Sequence, residues 1–147
     1  MKFEEFREGQ SWVTREREVT EKEIIAFASV YDPQPLHTDP EAAREGPFGE
    51  VIASGFQTLA LAWSLWVELG VMGAEGEAGV SLNDAKWHAP VRAGDRLHAE
   101  VTIGSARITR KGRGLLRMDF ELLAQDRTPV LTFTTNGILT REGSSGA

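Results

Sequence analysis

Hydrophobic positions along the chain follow two different periods. In the N-terminal half they recur with helical spacing, whereas after Gly79 they alternate one by one with polar residues, as in strands with one buried face. This alternation, together with β-branched residues and turn signals, predicts strands at residues 11–18, 80–88, 97–103, 116–122 and 129–139. The predicted strands are short and joined by tight turns, which favours an antiparallel sheet.

Two helices are predicted before residue 50 from the residues that begin them. Thr20 and Glu23 have the spacing of a capping box, which predicts a helix over residues 20–30. Asp39 is a favourable N-cap and Pro40 suits a first helical position, so a second, short helix is predicted to begin there. The capping role accounts for Asp39 without any chemistry.

The third predicted helix, residues 55–70, is the most apolar segment of the chain. Apolar side chains surround nearly its whole circumference, which predicts a largely buried helix with Leu59 and Trp63 in the core. A twisted antiparallel sheet wrapped on this helix is an α+β layout. We therefore predict one domain over residues 1–141, followed by a disordered tail at residues 142–147.

Composition narrows the classes of function. The chain has 147 residues, of which 41% are hydrophobic, and a formal net charge of −6, which argues against sequence-independent binding to nucleic acid. It has no cysteine, which excludes disulfides and thiolate metal sites and fits a reducing cytoplasm. No apolar stretch approaches the roughly 18 residues of a membrane span. A cytoplasmic protein without nucleic-acid or membrane partners is expected.

The stretch YDPQPLHTDP, residues 31–40, contains three prolines and holds Asp32 and His37 five positions apart. Proline restricts its own backbone and that of the preceding residue, so the stretch is predicted to be neither a helix nor a central strand. Histidine beside a carboxylate is a common acid–base pair near neutral pH. On spacing alone, the more ordinary alternative is a turn-forming Asp32 and a surface His37.

The stretch IASGF, residues 52–56, precedes the long apolar helix. A helix N-terminus offers unpaired N–H groups and the positive end of the helix dipole, and glycine permits close approach. The Gly55 N–H is therefore a candidate to bind a carbonyl oxygen that becomes an enolate. The alternative, equally supported by the sequence, is that Ser54 caps the helix and Gly55 serves close packing.

The other candidates for chemistry are weaker. Lys111 and Arg113, with Arg107 and Arg110 nearby, form a basic patch on a predicted hairpin that could meet the phosphates of an anionic ligand, although a solvated hairpin tip is the commoner explanation. The histidines, at positions 37, 88 and 98, are scattered without the spacing of metal ligands, so no metal site is predicted.

Two segments taken together resemble a known family. DPQPLHTDPEAAREGPFGEVIASGF, residues 32–56, and KWHAPVRAGDRLHAEV, residues 86–101, resemble the signatures of MaoC-like acyl dehydratases, the family that includes (R)-specific enoyl-CoA hydratases. The shared pattern is an aspartate, a proline-rich turn, a histidine five residues on, a Phe-x-x-x-Ile run, a glycine that opens a long helix, and a later Pro-Val-x-x-Gly-Asp segment. The likeness covers nearly the whole chain.

The resemblance implies a hot-dog fold, in which an antiparallel sheet wraps a central helix. It implies a homodimer, or a higher assembly of such dimers, that adds water reversibly to a 2-enoyl thioester. As enoyl-CoA hydratase and 3-hydroxyacyl-CoA dehydratase, such an enzyme needs no cofactor beyond the CoA or acyl-carrier thioester of its own substrate.

The resemblance also implies residue roles. Asp32 and His37 are expected to hold the reacting water between them, and the Gly55 N–H to bind the thioester carbonyl. Ser54 stands where the family often has histidine, and Trp63 stands where some hydratases have serine, so Trp63 is expected to shorten or reshape the acyl pocket. Contacts with the substrate are expected from Ser54, Phe56, Trp63, Lys111 and Arg113.

Two alternatives remain at this stage. A hot-dog acyl-CoA thioesterase often carries a catalytic carboxylate on the central helix, but the carboxylate available here, Glu68, lies near the far end of that helix from Gly55. A non-catalytic acyl-binding hot-dog module would not need Asp32 and His37 at this spacing.

Overall fold

The computed structural model describes residues 1–143 and shows a helical N-terminal part followed by long strands. The helices are α1 (Glu21–Tyr31), α2 (Pro35–Thr38), α3 (Pro40–Arg44) and α4 (Gly55–Glu68), and a 3-10 turn covers Phe3–Glu5. The strands are β1 (Ser11–Val13), β2 (Arg17–Glu18), β3 (Gly76–Trp87), β4 (Arg96–Ile108), β5 (Gly114–Leu123) and β6 (Pro129–Leu139). Residues 144–147 of the predicted tail lie outside the described residues.

The strands pair side by side in the order β1-β4-β5-β6-β3, and β2 pairs with β4 beside β1. Every pairing is antiparallel. Helix α4 packs its buried side against this sheet, which is the hot-dog arrangement and confirms the predicted α+β fold. Within residues 1–143, no helix is long and apolar enough to cross a membrane.

The core lies between α4 and one face of the sheet. In β4 and β5 the residues that alternate along the sequence are all buried, as their period of two predicts: Leu97, Ala99, Val101, Ile103, Leu116, Met118, Phe120 and Leu122. Helix α4 supplies Leu61, Leu65 and Trp66 to the same cluster. Burial of these apolar surfaces is the main favourable contribution to folding.

The predicted helix caps of α1 and α3 are confirmed. The Thr20 hydroxyl accepts a hydrogen bond from the Glu23 N–H at 3.2 Å, and the Glu23 carboxylate accepts one from the Thr20 N–H at 3.2 Å. Asp39 accepts hydrogen bonds from the backbone N–H groups of Glu41 and Ala42. Both helices therefore begin where the sequence predicts, because the caps satisfy N–H groups that have no partner inside a helix.

The prediction that residues 31–40 contain no helix is wrong. Residues Pro35–Thr38 form one helical turn, α2, with Pro35 at its first position. Proline is acceptable there because its missing N–H would have no partner inside the helix, and its φ angle already suits a helix. The turn places His37 on a short rigid element instead of a loop.

The predicted burial of α4 is also wrong on one side. Trp63 is 39% exposed and Leu59 is only partly buried, and the helix ends at Glu68 instead of residue 70. The Trp63 ring packs against Phe120 with a centroid distance of 5.9 Å, and its other side faces an open groove. The helix is apolar all round because it has two apolar neighbours, the core and this groove.

Truncation of a core residue should test the packing. We expect Ile103→Ala to lower the free energy of unfolding by about 2–5 kcal/mol, because Ile103 is fully buried and its truncation leaves a cavity. The matched control is Ile108→Ala on the same strand, where the side chain is exposed and the change should be within about 0.5 kcal/mol. Urea unfolding followed by circular dichroism measures both, and equal effects would contradict the assigned core.

Candidate active site

Asp32 and His37 lie together, although five residues separate them in sequence. Asp32 ends α1, where its backbone N–H donates to the Ala28 carbonyl at 2.9 Å, and His37 lies in α2. The distance from Asp32 Oδ2 to His37 Nε2 is 3.4 Å, and His37 is only 6% exposed. The surface-loop interpretation of His37 is therefore wrong, because α2 turns the ring into the protein.

The orientation of the His37 ring is set by its other nitrogen. His37 Nδ1 lies 2.6 Å from the carbonyl oxygen of Ile52, and a carbonyl can only accept, so Nδ1 carries the proton and donates it. In the neutral imidazole, Nε2 is then the unprotonated nitrogen. The ring consequently presents a lone pair, which can accept a proton, on the side that faces Asp32.

Asp32 is held as a carboxylate by two neutral donors. Gln34 Nε2 donates to Oδ1 at 2.7 Å, and Ser54 Oγ donates to Oδ2 at 2.7 Å. The hydrogen bond from Gln34, then that from Ser54 and then the nearby His37 lower the pKa of Asp32 below its ordinary value, against the opposing effect of burial. The site therefore places two proton acceptors, Asp32 Oδ2 and His37 Nε2, side by side.

The segment before α4 connects this pair to the residues between β3 and β4. Ala53 donates its N–H to the Val91 carbonyl at 2.8 Å, and Ile52 forms an isolated antiparallel bridge with Arg92. The Pro-Val-x-x-Gly-Asp segment therefore fixes the backbone to which His37 is hydrogen-bonded. This explains physically why the two segments that carry the resemblance occur together.

Ser54 and Gly55 open α4 as the sequence suggests. Ser54 is completely buried, and its Oγ accepts a hydrogen bond from the Phe56 N–H at 3.3 Å, as an N-cap does. Gly55 is the first helical residue, so its N–H has no acceptor within the helix. Ser54 thus serves both α4 and Asp32, a double role that sequence spacing does not predict.

Trp87, at the end of β3, is a residue of this site that sequence reasoning missed. Its indole Nε1 donates to the Gly55 carbonyl at 3.0 Å, and a Cβ added at Gly55 would lie 2.8 Å from the ring. The close-packing interpretation of Gly55 is therefore correct, and it is compatible with a role of the Gly55 N–H. The available signal was an aromatic residue at the second position of the second family segment, residues 86–101.

A groove of about 760 Å³ runs along the exposed side of α4. One wall is the helix, with Phe56 and Trp63, and the other is formed by β3 and β6. Phe56 follows Gly55 directly, so the groove begins next to the first turn of α4. The predicted substrate contacts Phe56 and Trp63 therefore share one apolar surface.

Lys111 and Arg113 do not join this site within one chain. They lie in the β4–β5 hairpin, next to Gly114, which pairs with Leu139 at one end of the sheet. Trp87, against Gly55, pairs with Leu131 towards the other end. At about 3.3 Å per residue, the two ends are roughly 30 Å apart. Arg113 also forms an ion pair with Glu77.

Comparison with known proteins bears on this geometry. The model of the MaoC like domain family matches residues 4–117. The chain is 38% identical over 116 residues to an uncharacterized protein, YdeM, of Bacillus subtilis, an alignment that covers 79% of this chain and 82% of that protein.

A named relative and a solved structure are also similar. The 3-hydroxyacyl-thioester dehydratase Z of Mycobacterium tuberculosis is 43% identical over 98 residues, which cover 65% of this chain and 62% of that protein, less than two thirds of its length. The crystal structure of a MaoC-like dehydratase from Rhodospirillum rubrum superposes with a TM-score of 0.87 at 31% identity, covering 97% of this chain and 98% of that chain.

The hydrogen bond from Gln34 gives a direct test of the electrostatics. We expect Gln34→Leu to raise the pKa of Asp32, because the carboxylate loses its strongest stabilising donor. A ¹³C NMR titration of the aspartate carboxyls measures this. The matched control is Gln125→Leu, which removes a glutamine next to Asp95 and should leave Asp32 unchanged.

The same substitution should change how stability depends on pH. The folded pKa of Asp32 lies below its ordinary value of 3.8, so its ionisation stabilises the fold above pH 3.8, and this contribution is lost as pH falls through the folded pKa. Gln34→Leu should reduce the contribution of Asp32 ionisation to the free energy of unfolding, which urea unfolding at several pH values measures. An Asp32 titration midpoint identical to that of the wild type would contradict the assigned hydrogen bond.

Proposed function

Because the chain belongs to the MaoC-like domain family, we propose that it adds water reversibly to the double bond of a 2-enoyl thioester and so interconverts it with a 3-hydroxyacyl thioester. The observation that carries this proposal is the pair of proton acceptors, Asp32 Oδ2 and His37 Nε2, 3.4 Å apart. The name of the dehydratase Z relative supports the same reaction class.

The pair suits a water molecule that is to be deprotonated. A water oxygen at about 2.8 Å, an ordinary hydrogen-bond distance, from both Oδ2 and Nε2 can donate one O–H to each. We assign His37 as the base, because its Nε2 is the unprotonated nitrogen, whereas Asp32 Oδ2 already accepts a hydrogen bond from Ser54 and the pKa of Asp32 is lowered. Asp32 then orients the water and stabilises the imidazolium that forms.

The reaction balances without a further reactant. The water oxygen forms a bond to C3 of the enoyl group while His37 Nε2 takes one of its protons. The electrons of the double bond move towards the thioester oxygen, and the imidazolium returns the proton to C2. Dehydration follows the same steps in reverse. Neither an oxidant nor an additional cofactor is required.

The negative charge that develops on the thioester oxygen needs a donor. We assign this role to the Gly55 N–H, because it has no acceptor within α4 and lies at the positive end of the helix dipole. One such donor is worth about 3 kcal/mol in related cases. The groove that begins at Phe56 would receive the acyl chain, and Trp63 would limit its length.

We further propose that the protein acts as a homodimer joined along β3. This strand is at the edge of the sheet, and no strand among residues 1–143 pairs with its outer side. Val80 and Leu82 on it are exposed apolar residues, which natural proteins usually cover. Pairing two copies of β3 antiparallel would produce one continuous sheet.

Such a dimer would also account for the basic hairpin. Antiparallel pairing brings the start of one β3 beside the end of the other. The hairpin with Lys111 and Arg113 lies at the end of the sheet where β3 starts, and Trp87 ends β3. The partner's Lys111 and the partner's Arg113 would therefore lie at the same end as this chain's Gly55, suitably for the phosphates of CoA.

Loss of either member of the acid–base pair should abolish most activity. We expect Asp32→Asn and His37→Ala each to lower the rate of hydration of a 2-enoyl-CoA by about 10²–10⁴-fold, because each removes a partner of the reacting water. The double variant should be far less than multiplicatively worse, since the two groups act as a unit. The assay follows loss of the conjugated double bond across a panel of chain lengths.

The control is Asp39→Asn, which should keep nearly the wild-type rate because asparagine caps α3 equally well. Free thiol is measured in the same assay. Release of thiol would indicate a thioesterase instead, although the carboxylate on α4, Glu68, is in an exposed ion pair with Arg15. A near wild-type rate for Asp32→Asn or His37→Ala would overturn the proposed roles.

The assembly is tested separately by light scattering. We expect a mass of twice the chain's 16.2 kDa, and we expect Val80→Lys to shift the protein towards monomer because it places a charge on the paired edge. The matched control is Ile108→Lys, an exposed apolar residue at the end of β4. A wild-type monomer at micromolar concentration would refute the dimer.

A further inference from the structure

Three hydrogen bonds connect Trp87 to the carboxylate of Asp32 through the first turn of α4. The Trp87 indole N–H donates to the Gly55 carbonyl at 3.0 Å. The N–H of the same peptide unit, that of Phe56, donates to Ser54 Oγ at 3.3 Å. The Ser54 hydroxyl in turn donates to Asp32 Oδ2 at 2.7 Å.

We propose that Ser54 and Trp87 are positioning residues for the proposed hydration, and that this chain of hydrogen bonds orients Asp32 Oδ2 towards the reacting water. The inference rests on the proposed function for its role in catalysis. The series of hydrogen bonds is itself a property of the structure, and it can be tested without any substrate.

The direction of the chain is fixed at both ends. An indole N–H can only donate, and an ionised carboxylate can only accept. The Ser54 hydroxyl has one proton, and since it donates that proton to Asp32, its lone pair is available to the Phe56 N–H. Every donor therefore points towards Asp32, and bonds aligned in this way polarise one another.

Burial protects the central hydrogen bond of this series from competition with water. Ser54 is completely buried, so bulk water does not compete for its hydroxyl. Trp87 at the outer end is 46% exposed, but its ring lies against Gly55, where a Cβ would be 2.8 Å away. The outer donor is thus held against the peptide unit that it polarises.

The inner end of the chain is the oxygen that matters for the reaction. Ser54 binds Oδ2, which is also the atom 3.4 Å from His37 Nε2, whereas Gln34 binds the other oxygen, Oδ1. Among the described residues, His37 is the titratable group that faces Asp32, and Gln34 and Ser54 are its uncharged donors. The two donors together determine the plane of the carboxylate and the direction of the remaining lone pair on Oδ2.

Three variants separate this role from simple packing. Ser54→Ala removes the central link, and Trp87→Phe keeps an aromatic ring on Gly55 but removes the N–H. The third variant combines the two substitutions. The matched control is Trp12→Phe, since Trp12 packs against Phe6 and Trp66 on the other side of the core.

The first measurement is the NMR titration of Asp32. We expect a higher pKa in Ser54→Ala and a smaller increase in Trp87→Phe, because each change weakens donation to Oδ2. The double variant should titrate like Ser54→Ala alone, since Trp87 acts only through Ser54. Trp12→Phe should titrate like the wild type.

The second measurement is the pH profile of hydration with a 2-enoyl-CoA. The loss of rate at the lowest pH, where Asp32 becomes protonated and can no longer accept from the water, should begin at higher pH in the same order as the Asp32 titration. The kcat of Ser54→Ala should fall, by up to about 10²-fold, with little change in KM, because the water and not the acyl chain is misplaced.

An unchanged pKa of Asp32 in Trp87→Phe would contradict the proposed hydrogen-bond chain. It would also be contradicted if the pKa shift of the double variant equalled the sum of the two single shifts. If Ser54→Ala does not fold, the Asp32 titration of Trp87→Phe alone tests the proposal, because Trp87 is partly exposed and tolerates the change to phenylalanine. If the titrations shift as expected but the wild type hydrates no 2-enoyl thioester, the proposed function fails while the hydrogen-bond chain stands.

Discussion

The candidate site depends on how the backbone of Ile52–Ser54 is held against the connection between β3 and β4. The Ile52 carbonyl accepts from His37 Nδ1, the Ala53 N–H donates to Val91, and the Ser54 hydroxyl donates to Asp32. One short segment thus fixes the tautomer of the histidine, the position of the carboxylate and the start of α4. A shift of this segment would change all three distances together.

The chemistry that follows comes from placing two acceptors beside each other in a partly buried position. An ionised carboxylate and an imidazole lone pair cannot donate to one another, so the chemistry of this pair suits a molecule that donates to both. Water is the smallest such molecule. In the proposed reaction, the Gly55 N–H would provide the one further donor, at the end of α4 where the helix dipole is positive.

Helix α4 has two apolar sides that face different surroundings. Leu65 and Trp66 are buried against the sheet, whereas Phe56 and Trp63 line the groove beside β3. Positions that face the core and positions that bind a ligand or a second subunit are both occupied by apolar residues, because the hydrophobic effect favours burial in either case. The composition of a helix therefore does not tell them apart. This is why the composition of the helix predicted that it is largely buried with Trp63 in the core, whereas Trp63 is 39% exposed.

The sequence alone determined those features that depend on neighbouring residues. The caps at Thr20 and Asp39 and the period of two in β4 and β5 act over one or two turns or along one strand, so the pattern predicted them and the α+β fold correctly. Only the tertiary structure decided contacts between distant segments. Trp87 meets Gly55 across 32 positions, and Ser54 meets Asp32 across 22. Such contacts depend on the register of β3 against β6 and on the bridge beside Val91, which no local pattern specifies.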